Sequence, residues 1–439
     1  MLEICAVGGY YEVGRNMTAV KVDDACFILD MGINLTKYIE LTEDEDIHDI
    51  TEKQLMHAGA IPDDSTIADW RDKVKAIIPT HAHLDHVGAL PFMAHKYKAP
   101  IIATPFTHEI IKAICKDDRL KLKNKTLVLQ PNSHYDLNDV RVEFIHITHS
   151  TPQTIVAALH TKQGTILYSN DFKLDNFPVL GKKPNYRRLQ ELKNVKVLIC
   201  DCLRAQDHRK TPSENVAREM LKDILLGVHC EQQAIFITTF SSHIARLKSI
   251  IEFGKHLRRK VVFLGRSLAK YTQAAENVGL VTFSKEVDIY RYGNEIKKAL
   301  KRIAQEPQKY LVVLTGHQGE PKSVLGRIAR GQFPFAFKPK DVVIFSSTII
   351  PNDLNKQNRK ELETILEEKH VRIFRDIHQS GHASREDLRD FLHLVRPEYV
   401  IPAHGEEAMT EAMVSLALEE GIKVIKLRNG ERVKIPHGL

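Results

Sequence analysis

The hexapeptide HAHLDH, which begins at residue 81, restricts the fold more than any other part of the 439-residue chain. It places three imidazoles and a carboxylate within six positions, and Zn²⁺ accepts both kinds of ligand. An apolar β-like run precedes it, so we expect the motif on a loop at the end of a strand. His81 and His83 would face one metal ion. Asp85 and His86 would face a second. A role as ordinary turn residues is disfavoured, because burying three imidazoles and a carboxylate would be costly without metal.

Composition favours a globular protein over one embedded in a membrane. Hydrophobic residues make up 43% and charged residues 27% of the chain, and no apolar run is long enough to span a bilayer. The start lacks a signal-peptide pattern and the six cysteines contain no CxxC pair, so we expect a cytoplasmic protein with reduced, buried thiols. The net charge of +7 is compatible with a polyanionic ligand but supports nucleic acid only weakly.

Short apolar runs alternate with helical patterns, which indicates an α/β protein. The predicted strands are 25–30, 76–79, 164–169, 195–200, 234–238, 261–264, 311–315 and 342–346. The predicted helices are 213–226 with Ser213 as its N-cap, 361–369 and 385–395. The acidic segment 36–72 interrupts this alternation, and we expect it to be a solvated loop-and-helix insertion at the surface rather than a site. Self-association through this segment is the alternative.

Three further residues follow β-like runs and are candidate metal ligands. They are His149, Asp171 and His404. Each alone is more typical of an ordinary polar residue at a strand end. A hydrolytic site with two metal ions needs more than four ligands, however, so their shared position favours a ligand role.

The order of Asp30, HAHLDH, His149 and Asp171 resembles motifs one to four of the metallo-β-lactamase superfamily. The resemblance implies an αββα sandwich that binds two zinc ions per chain. The implied ligands are His81, His83 and His149 for the first ion, Asp85 and His86 for the second, and Asp171 as a bridge between them. Asp30 is implied to orient the ligand loop without binding a metal ion itself. Two such ions can activate water as a nucleophile, so no serine or cysteine nucleophile is required.

The segments around Asp201, HQSGHA (378–383) and PAHGE (402–406) resemble motifs A, B and C of the β-CASP nucleases. The resemblance implies an α/β β-CASP domain inserted into the lactamase fold, with the core at 1–206 and 376–439 and the insert at 207–375. It assigns His404 to the second zinc and makes His382 the general acid, positioned by Asp201. Asp85 also counts among the catalytic residues.

Within this group the chain is most similar to the ribonuclease J family, particularly its short archaeal form. The supporting segments are TFSSH (239–243), GRSL (265–268), TGHQGE (315–320) and FSSTIIP (345–351). The resemblance implies a homodimeric, zinc-dependent 5′-3′ exoribonuclease acting on single-stranded RNA with a 5′-monophosphate. The implied phosphate-binding residues are His378, Ser380, Gly381, Ser241 and Ser242.

Three other functions remain open. The chain shows neither the C-terminal domain of bacterial ribonuclease J nor N-terminal KH domains, and the absence of KH domains favours an exonuclease over an endoribonuclease of the same family. A non-catalytic RNA-binding subunit is disfavoured because every expected ligand is present. A small-molecule hydrolase of the glyoxalase II type is disfavoured by the long insert before motif B.

Overall fold

The computed structural model describes residues 1–42, 50–117, 119–228, 230 and 232–436. The chain forms two compact units. The first unit comprises 1–176, 182–211 and 381–439, and the second, which we call the inserted unit, comprises 177–181 and 212–380. The acidic run at 43–46 lies outside the described residues.

The first unit contains two seven-stranded sheets. The first sheet has the strand order β20-β1-β2-β3-β4-β5-β6, formed by β1 (Leu2–Gly8), β2 (Met17–Val22), β3 (Ala25–Leu29), β4 (Val74–Ile78), β5 (Ile101–Ala103), β6 (Thr126–Val128) and β20 (Arg432–Ile435). The second has the order β19-β18-β11-β10-β9-β8-β7, formed by β7 (Ser133–Leu137), β8 (Val140–His146), β9 (Ile155–Thr161), β10 (Gly164–Ser169), β11 (Val195–Asp201), β18 (Tyr399–Ala403) and β19 (Lys423–Val424).

Helices lie outside both sheets of this unit. They are α1 (Leu35–Thr42), α2 (Glu52–His57), α3 (Leu84–Val87), α4 (Leu90–Met93), α5 (Pro105–Asp117), α6 (Tyr186–Gln190), α13 (Arg385–Val395) and α14 (Glu407–Glu419), with 3₁₀ turns at Asp64–Lys73 and Ala94–Lys96. Phe27 and Ile78 of the first sheet share one buried core with Phe144 and Tyr168 of the second. The second sheet packs its other face against α6, α13 and α14. This arrangement confirms the predicted αββα sandwich.

The inserted unit is built on a six-stranded parallel sheet. Its order is β14-β13-β15-β12-β16-β17, formed by β12 (Ile235–Thr238), β13 (Lys260–Leu264), β14 (Asp288–Tyr290), β15 (Tyr310–Leu314), β16 (Val342–Phe345) and β17 (Arg372–Phe374). Its helices are α7 (Glu214–Gly227), α8 (Ile244–His256), α9 (Arg266–Asn277), α10 (Gly293–Gln305), α11 (Val324–Ala329) and α12 (Asp353–Glu368), with 3₁₀ turns at Phe283–Lys285 and Pro307–Lys309. Its inner strands read as continuous apolar runs because helices cover parallel sheets on both faces.

Most element predictions are confirmed, and two need correction. Ser213 caps α7, since its side chain accepts from the backbone N–H of Asn215, and α13 has the predicted bounds. Helix α12 begins eight residues before the predicted 361, because its polar first half shows no apolar spacing. Segment 36–72 is not simply a solvated insertion. Its described residues include helices, as the predicted loop-and-helix decoration requires, but they also bury Leu55, Ile67 and Trp70, so the segment is not wholly solvated.

The units divide later in the chain than the predicted boundaries after 206 and 375. Residues up to Thr211 remain with the first unit because Thr211 hydrogen bonds to His382, Ser384 and Asp387. Residues up to Ser380 remain with the inserted unit, where the carbonyl of Ile377 accepts from the Ser346 hydroxyl.

The six cysteines are free and buried, as the reduced-thiol prediction requires. Burial raises the pKa of the Cys26 thiol to about 12, so it stays protonated at neutral pH. Among the described residues, no helix combines the length and apolar character needed to cross a membrane.

We expect the change Arg246→Ala to destabilise the inserted unit strongly. Arg246 is fully buried, and its Nε and Nη2 atoms donate to the two carboxylate oxygens of Glu214 at 2.6 and 2.8 Å. Its Nη1 atom donates to the carbonyls of Ser346 and Ile377, so one guanidinium joins α7, α8 and two loops. Removing one partner of such a pair leaves a buried charge and costs about 3–5 kcal/mol. Urea denaturation would measure the loss.

The matched control is Lys248→Ala, an exposed position on the same helix. A loss of stability no larger than that of the control would contradict the structural role of Arg246.

Candidate metal centre

The candidate ligands meet because several strands end at one edge of the first unit. Strands β10, β11 and β18 are parallel to one another, and β8 has the same direction because two antiparallel pairings separate it from β10. Their carboxyl ends therefore lie together, which is where α/β proteins commonly place their sites. The residues at or after these ends are His149, Asp171, Asp201 and His404. The HAHLDH segment follows β4 in the facing sheet and enters α3.

The first group of potential ligand atoms comes from His81, His83, His149 and Asp171. Nδ1 of His83 lies 3.1 Å from Nε2 of His81 and 3.1 Å from Nε2 of His149. Oδ2 of Asp171 lies 3.4, 4.0 and 3.5 Å from the ligand nitrogens of His81, His83 and His149. Four ligands of a tetrahedral zinc ion are separated by about 3.3 Å when each lies about 2.0–2.1 Å from the metal. The spacing therefore suits a four-coordinate ion.

The second group uses the other oxygen of the same aspartate. Oδ1 of Asp171 lies 3.2 Å from Nε2 of His86 and 3.5 Å from Nε2 of His404. Oδ2 of Asp85 lies 3.6 Å from the His86 nitrogen and 3.8 Å from the His404 nitrogen. Each oxygen of Asp171 thus belongs to a different group, so the carboxylate could serve as a ligand in both.

Asp171 also provides a test of whether a metal fits. Its side chain is buried, and its Oδ1 atom accepts no hydrogen bond from any described residue. Buried polar atoms normally have a partner, and buried charges are paired or coordinate metals. A cation beside Oδ1 would supply the missing partner.

Burial and neighbouring charges leave the histidines in different protonation states. Burial, with a contribution from neighbouring His86, lowers the pKa of His81 to about 4, and burial lowers the pKa of His149 well below its usual value. Burial also acts to lower the pKa of His86, but the carboxylates of Asp171 and Asp30 outweigh it and raise that pKa well above 6.5. Neutral imidazoles are ready to bind metal, whereas a cation would have to replace the proton on His86.

Asp30 determines which nitrogen of two ligand histidines faces the centre. Its Oδ2 atom accepts from Nδ1 of His86 at 2.7 Å. Its Oδ1 atom accepts from the backbone N–H of Thr80 at 2.7 Å and from the Thr80 hydroxyl at 3.0 Å. That hydroxyl accepts in turn from Nδ1 of His81 at 3.1 Å. With both Nδ1 atoms protonated, the Nε2 lone pairs of His81 and His86 point to the metal groups.

Asn16 has a comparable supporting role that the sequence analysis missed. Its Oδ1 atom accepts from Nδ1 of His404 at 2.9 Å and from the amide of Asn170 at 3.1 Å. Its Nδ2 atom donates to the carbonyl of Asp85 at 3.1 Å. Asn16 therefore supports ligand segments that are distant in sequence. Neither a motif nor an apolar spacing distinguishes it in the sequence.

Three site residues adopt left-handed backbone conformations within two residues of a strand end. The φ angles of Asp30, Asp171 and His404 are 60°, 53° and 55°. Such conformations are uncommon for residues other than glycine, and they cluster at functional sites where the surroundings hold them. Here they turn the chain out of the strand so that the side chain faces the centre.

A second carboxylate–imidazole pair lies beside the candidate metal groups. Nδ1 of His382 donates to Oδ2 of Asp201 at 2.8 Å, and Oδ1 of Asp201 accepts from the backbone N–H of Leu203 at 2.8 Å. The other ring nitrogen, Nε2, lies 3.8 Å from Oδ2 of Asp171. Burial acts to lower the pKa of His382, but the Asp201 and Asp171 carboxylates raise it to about 9. Both carboxylates therefore favour the protonated form of the imidazole.

The residues of the predicted phosphate pocket belong to different units. Gly381 lies in the first unit, where its carbonyl accepts from Nδ1 of His149 at 2.7 Å, and a Cβ atom here would lie 2.7 Å from the His149 ring. The close approach to His149 thus explains glycine at this position. The other four predicted residues, His378, Ser380, Ser241 and Ser242, lie in the inserted unit, and the hydroxyl of Ser241 is 2.9 Å from that of Ser267.

We expect Asp30→Asn to weaken binding of divalent metal by about 10- to 100-fold, the usual cost of losing a group that orients metal ligands. One amide oxygen cannot accept from both Thr80 and His86, so one ligand histidine loses its orientation. Competition with a chromogenic chelator would measure the affinity. The control is Asp24→Asn, an exposed carboxylate that pairs with Lys73. Equal metal affinity in both variants would contradict the role given to Asp30.

Three protein families match successive segments of the chain, in the order in which their motifs occur in the sequence. Residues 11–211 match the metallo-β-lactamase superfamily, and residues 232–364 match the β-CASP domain of ribonuclease J. Residues 370–427 match the RNA specificity domain of Zn-dependent metallo-hydrolases. A solved structure of a protein of unknown function from Enterococcus faecalis covers 98% of this chain and 99% of its own with a TM-score of 0.69. It is only 16% identical and supports the fold alone.

Two archaeal relatives match over almost their whole length. The chain is 44% identical to a ribonuclease J of Methanocaldococcus jannaschii, covering 98% of each chain. It is 41% identical to a ribonuclease J of Pyrococcus abyssi, covering 100% of this chain and 98% of the relative. The resemblance inferred from the motifs is therefore confirmed, and the chain belongs to the ribonuclease J family of β-CASP metallo-hydrolases.

Proposed function

We propose that this chain is a two-zinc ribonuclease that removes nucleotides one at a time from RNA with a 5′-monophosphate. The observation that carries the proposal is the pair of ligand groups sharing Asp171, with the His382–Asp201 pair beside them. The ribonuclease names of the full-length relatives support RNA as the substrate. Single-stranded RNA as the preferred form and a homodimer remain predictions from family resemblance, and a cytoplasmic location remains a prediction from the sequence alone.

The donor set suits zinc because it combines imidazoles with carboxylates. We propose His81, His83 and His149 as ligands of one ion, Asp85, His86 and His404 as ligands of the other, and Asp171 as the bridge. Zinc ions held there supply Lewis-acid chemistry, lowering the pKa of water and stabilising negative charge on a phosphate. Asp30 and Asn16 would keep the ligand imidazoles oriented for this task.

His382 is the proposed general acid. Hydrolysis breaks the bond between phosphorus and the 3′-oxygen of the departing nucleotide, and that oxygen needs a proton because an alkoxide is a poor leaving group. Asp201 holds Nδ1 of His382, so the proton on Nε2 is free to move to the oxygen. Asp201 would also stabilise the charged form of the imidazole when a metal ion shares the charge of Asp171.

The proposed cleavage of the phosphorus–O3′ bond is compatible with successive removal of nucleotides from the 5′ end. Breaking the phosphorus–O3′ bond leaves a 5′-phosphate on the shortened RNA. The product therefore carries the same end group as the substrate. An enzyme that prefers this end can repeat the reaction without another activity.

Two labelled forms of one 5′-monophosphorylated RNA separate the exonuclease from the endonuclease. With a 5′ label, we expect a labelled mononucleotide as the first product, because the terminal nucleotide leaves first. With a 3′ label, we expect no early internal fragments. The same RNA with a 5′-triphosphate should react more slowly. Gel electrophoresis of early time points measures both products.

His83→Ala is the control, with zinc content measured in both proteins. Discrete internal fragments at early times would replace the exonuclease proposal with an endonuclease. Unchanged RNA binding by the variant, together with no stoichiometric zinc and no cleavage in the parent protein, would instead indicate a binding subunit.

We expect His382→Ala to slow RNA cleavage by about 10²- to 10⁴-fold, the usual contribution of a general acid. Cleavage of bis(p-nitrophenyl) phosphate should change much less, because p-nitrophenolate leaves without a proton. Steady-state rates on the two substrates measure the difference. An equal loss on both substrates would contradict the role as an acid, and an unchanged zinc content would exclude metal loss as the cause.

A further inference from the structure

We propose that Thr211 is a positioning residue, which holds the backbone of His382 and thereby places the imidazole for proton transfer. Thr211 is the last residue of the first unit before the chain enters the inserted unit, and His382 is the second residue after the chain returns. The inference rests on the proposed role of His382 as the general acid.

The Thr211 hydroxyl makes two hydrogen bonds on either side of Ala383. It donates to the carbonyl of His382 at 2.7 Å and accepts from the backbone N–H of Ser384 at 2.9 Å. The N–H of Ala383 points the other way and donates to the carbonyl of Phe172, the residue after Asp171. Both sides of this short segment are therefore held, one by Thr211 and the other by the loop that carries a proposed ligand.

Thr211 is itself fixed by buried contacts. Its backbone N–H donates to Oδ2 of Asp387 at 2.6 Å, and both residues are buried. The Ser384 hydroxyl lies 2.9 Å from the Thr211 hydroxyl and 3.3 Å from Oδ2 of Asp207. The N–H of Arg385 donates to the carbonyl of Asp207 at 3.0 Å, so the outgoing and returning segments are joined at several points.

The imidazole ring and the backbone of His382 are thus held by different residues. Asp201 fixes the ring through Nδ1, whereas Thr211 fixes the carbonyl of the same residue. Turning the ring cannot correct a displaced backbone, because Asp201 restricts the ring. A displacement of about 1 Å can reduce a rate by about 10²-fold when reacting groups must meet in one geometry.

The test compares Thr211→Val with Thr211→Ser. Valine keeps the branched shape and loses both hydrogen bonds, whereas serine keeps the hydroxyl. We expect the valine variant to lose at least about 10-fold in kcat on RNA, with little change in KM and in the rate on bis(p-nitrophenyl) phosphate. The serine variant should retain most of the parent rate. Thr364→Val, at an exposed position of α12, is the control for a threonine hydroxyl elsewhere.

The ratio of the rate on RNA to the rate on bis(p-nitrophenyl) phosphate keeps the test valid when part of the valine variant is unfolded. Both substrates report on the same folded fraction, so that fraction cancels. Hydrogen exchange provides a readout independent of activity. The amide of Ser384 should exchange faster in the valine variant, because it loses its acceptor, while zinc content stays at the parent value.

The rate measurements distinguish failure of the general acid proposal from failure of the role given to Thr211. If His382→Ala slows both substrates equally, the general acid proposal fails and the role of Thr211 fails with it. If His382→Ala is selective for RNA but Thr211→Val leaves the rate ratio unchanged, only the role of Thr211 is overturned. Equal losses in the serine and valine variants would also overturn it, because the hydroxyl would not be the group that matters.

Discussion

The carboxylate of Asp30 is the interaction on which the candidate metal centre depends. It holds Nδ1 of His86 directly and Nδ1 of His81 through the Thr80 hydroxyl, so one buried charge orients ligands of both metal groups. An imidazole protonated at the wrong nitrogen could not bind metal through Nε2. The left-handed backbone of Asp30 follows from this demand, since the side chain must turn out of β3 toward the loop after β4. The geometry of that loop is therefore determined by a residue about fifty positions earlier.

Sheet topology supplies the remaining ligands in a similar way. Four strands of the second sheet end at one edge, and the chain leaves the first unit after Thr211 and returns at Gly381 before it supplies His382 and His404. The long insertion therefore separates the proposed ligands in sequence without separating them in the first unit. The returning segment has to be positioned independently of the insertion, and its hydrogen bonds to residues 207–211 provide that positioning.

These features explain which predictions from sequence could succeed. The HAHLDH ligands are close in sequence, and apolar runs give strands directly, so the fold and the local motif were predictable. Segment 36–72 was misjudged because its acidic residues outnumber the few apolar side chains that it buries, such as Trp70. Asn16 was missed because its contact with His404 joins residues 388 positions apart. A supporting residue of this kind needs only one amide in the right place, so it leaves no periodic pattern.

The distribution of formal charge differs between the two units. Residues 212–380 contain 28 Lys and Arg and 18 Asp and Glu, an excess of ten positive charges, whereas the whole chain has a net charge of +7. The remainder of the chain is therefore slightly acidic, consistent with a unit that buries several carboxylates around its metal groups. Attraction of a polyanion by such a charge excess weakens as salt screens it, while coordination in a buried centre is screened much less. Added salt should thus weaken the attraction of a polyanion to the inserted unit far more than it weakens metal coordination by the buried ligand groups, because different residues control the two.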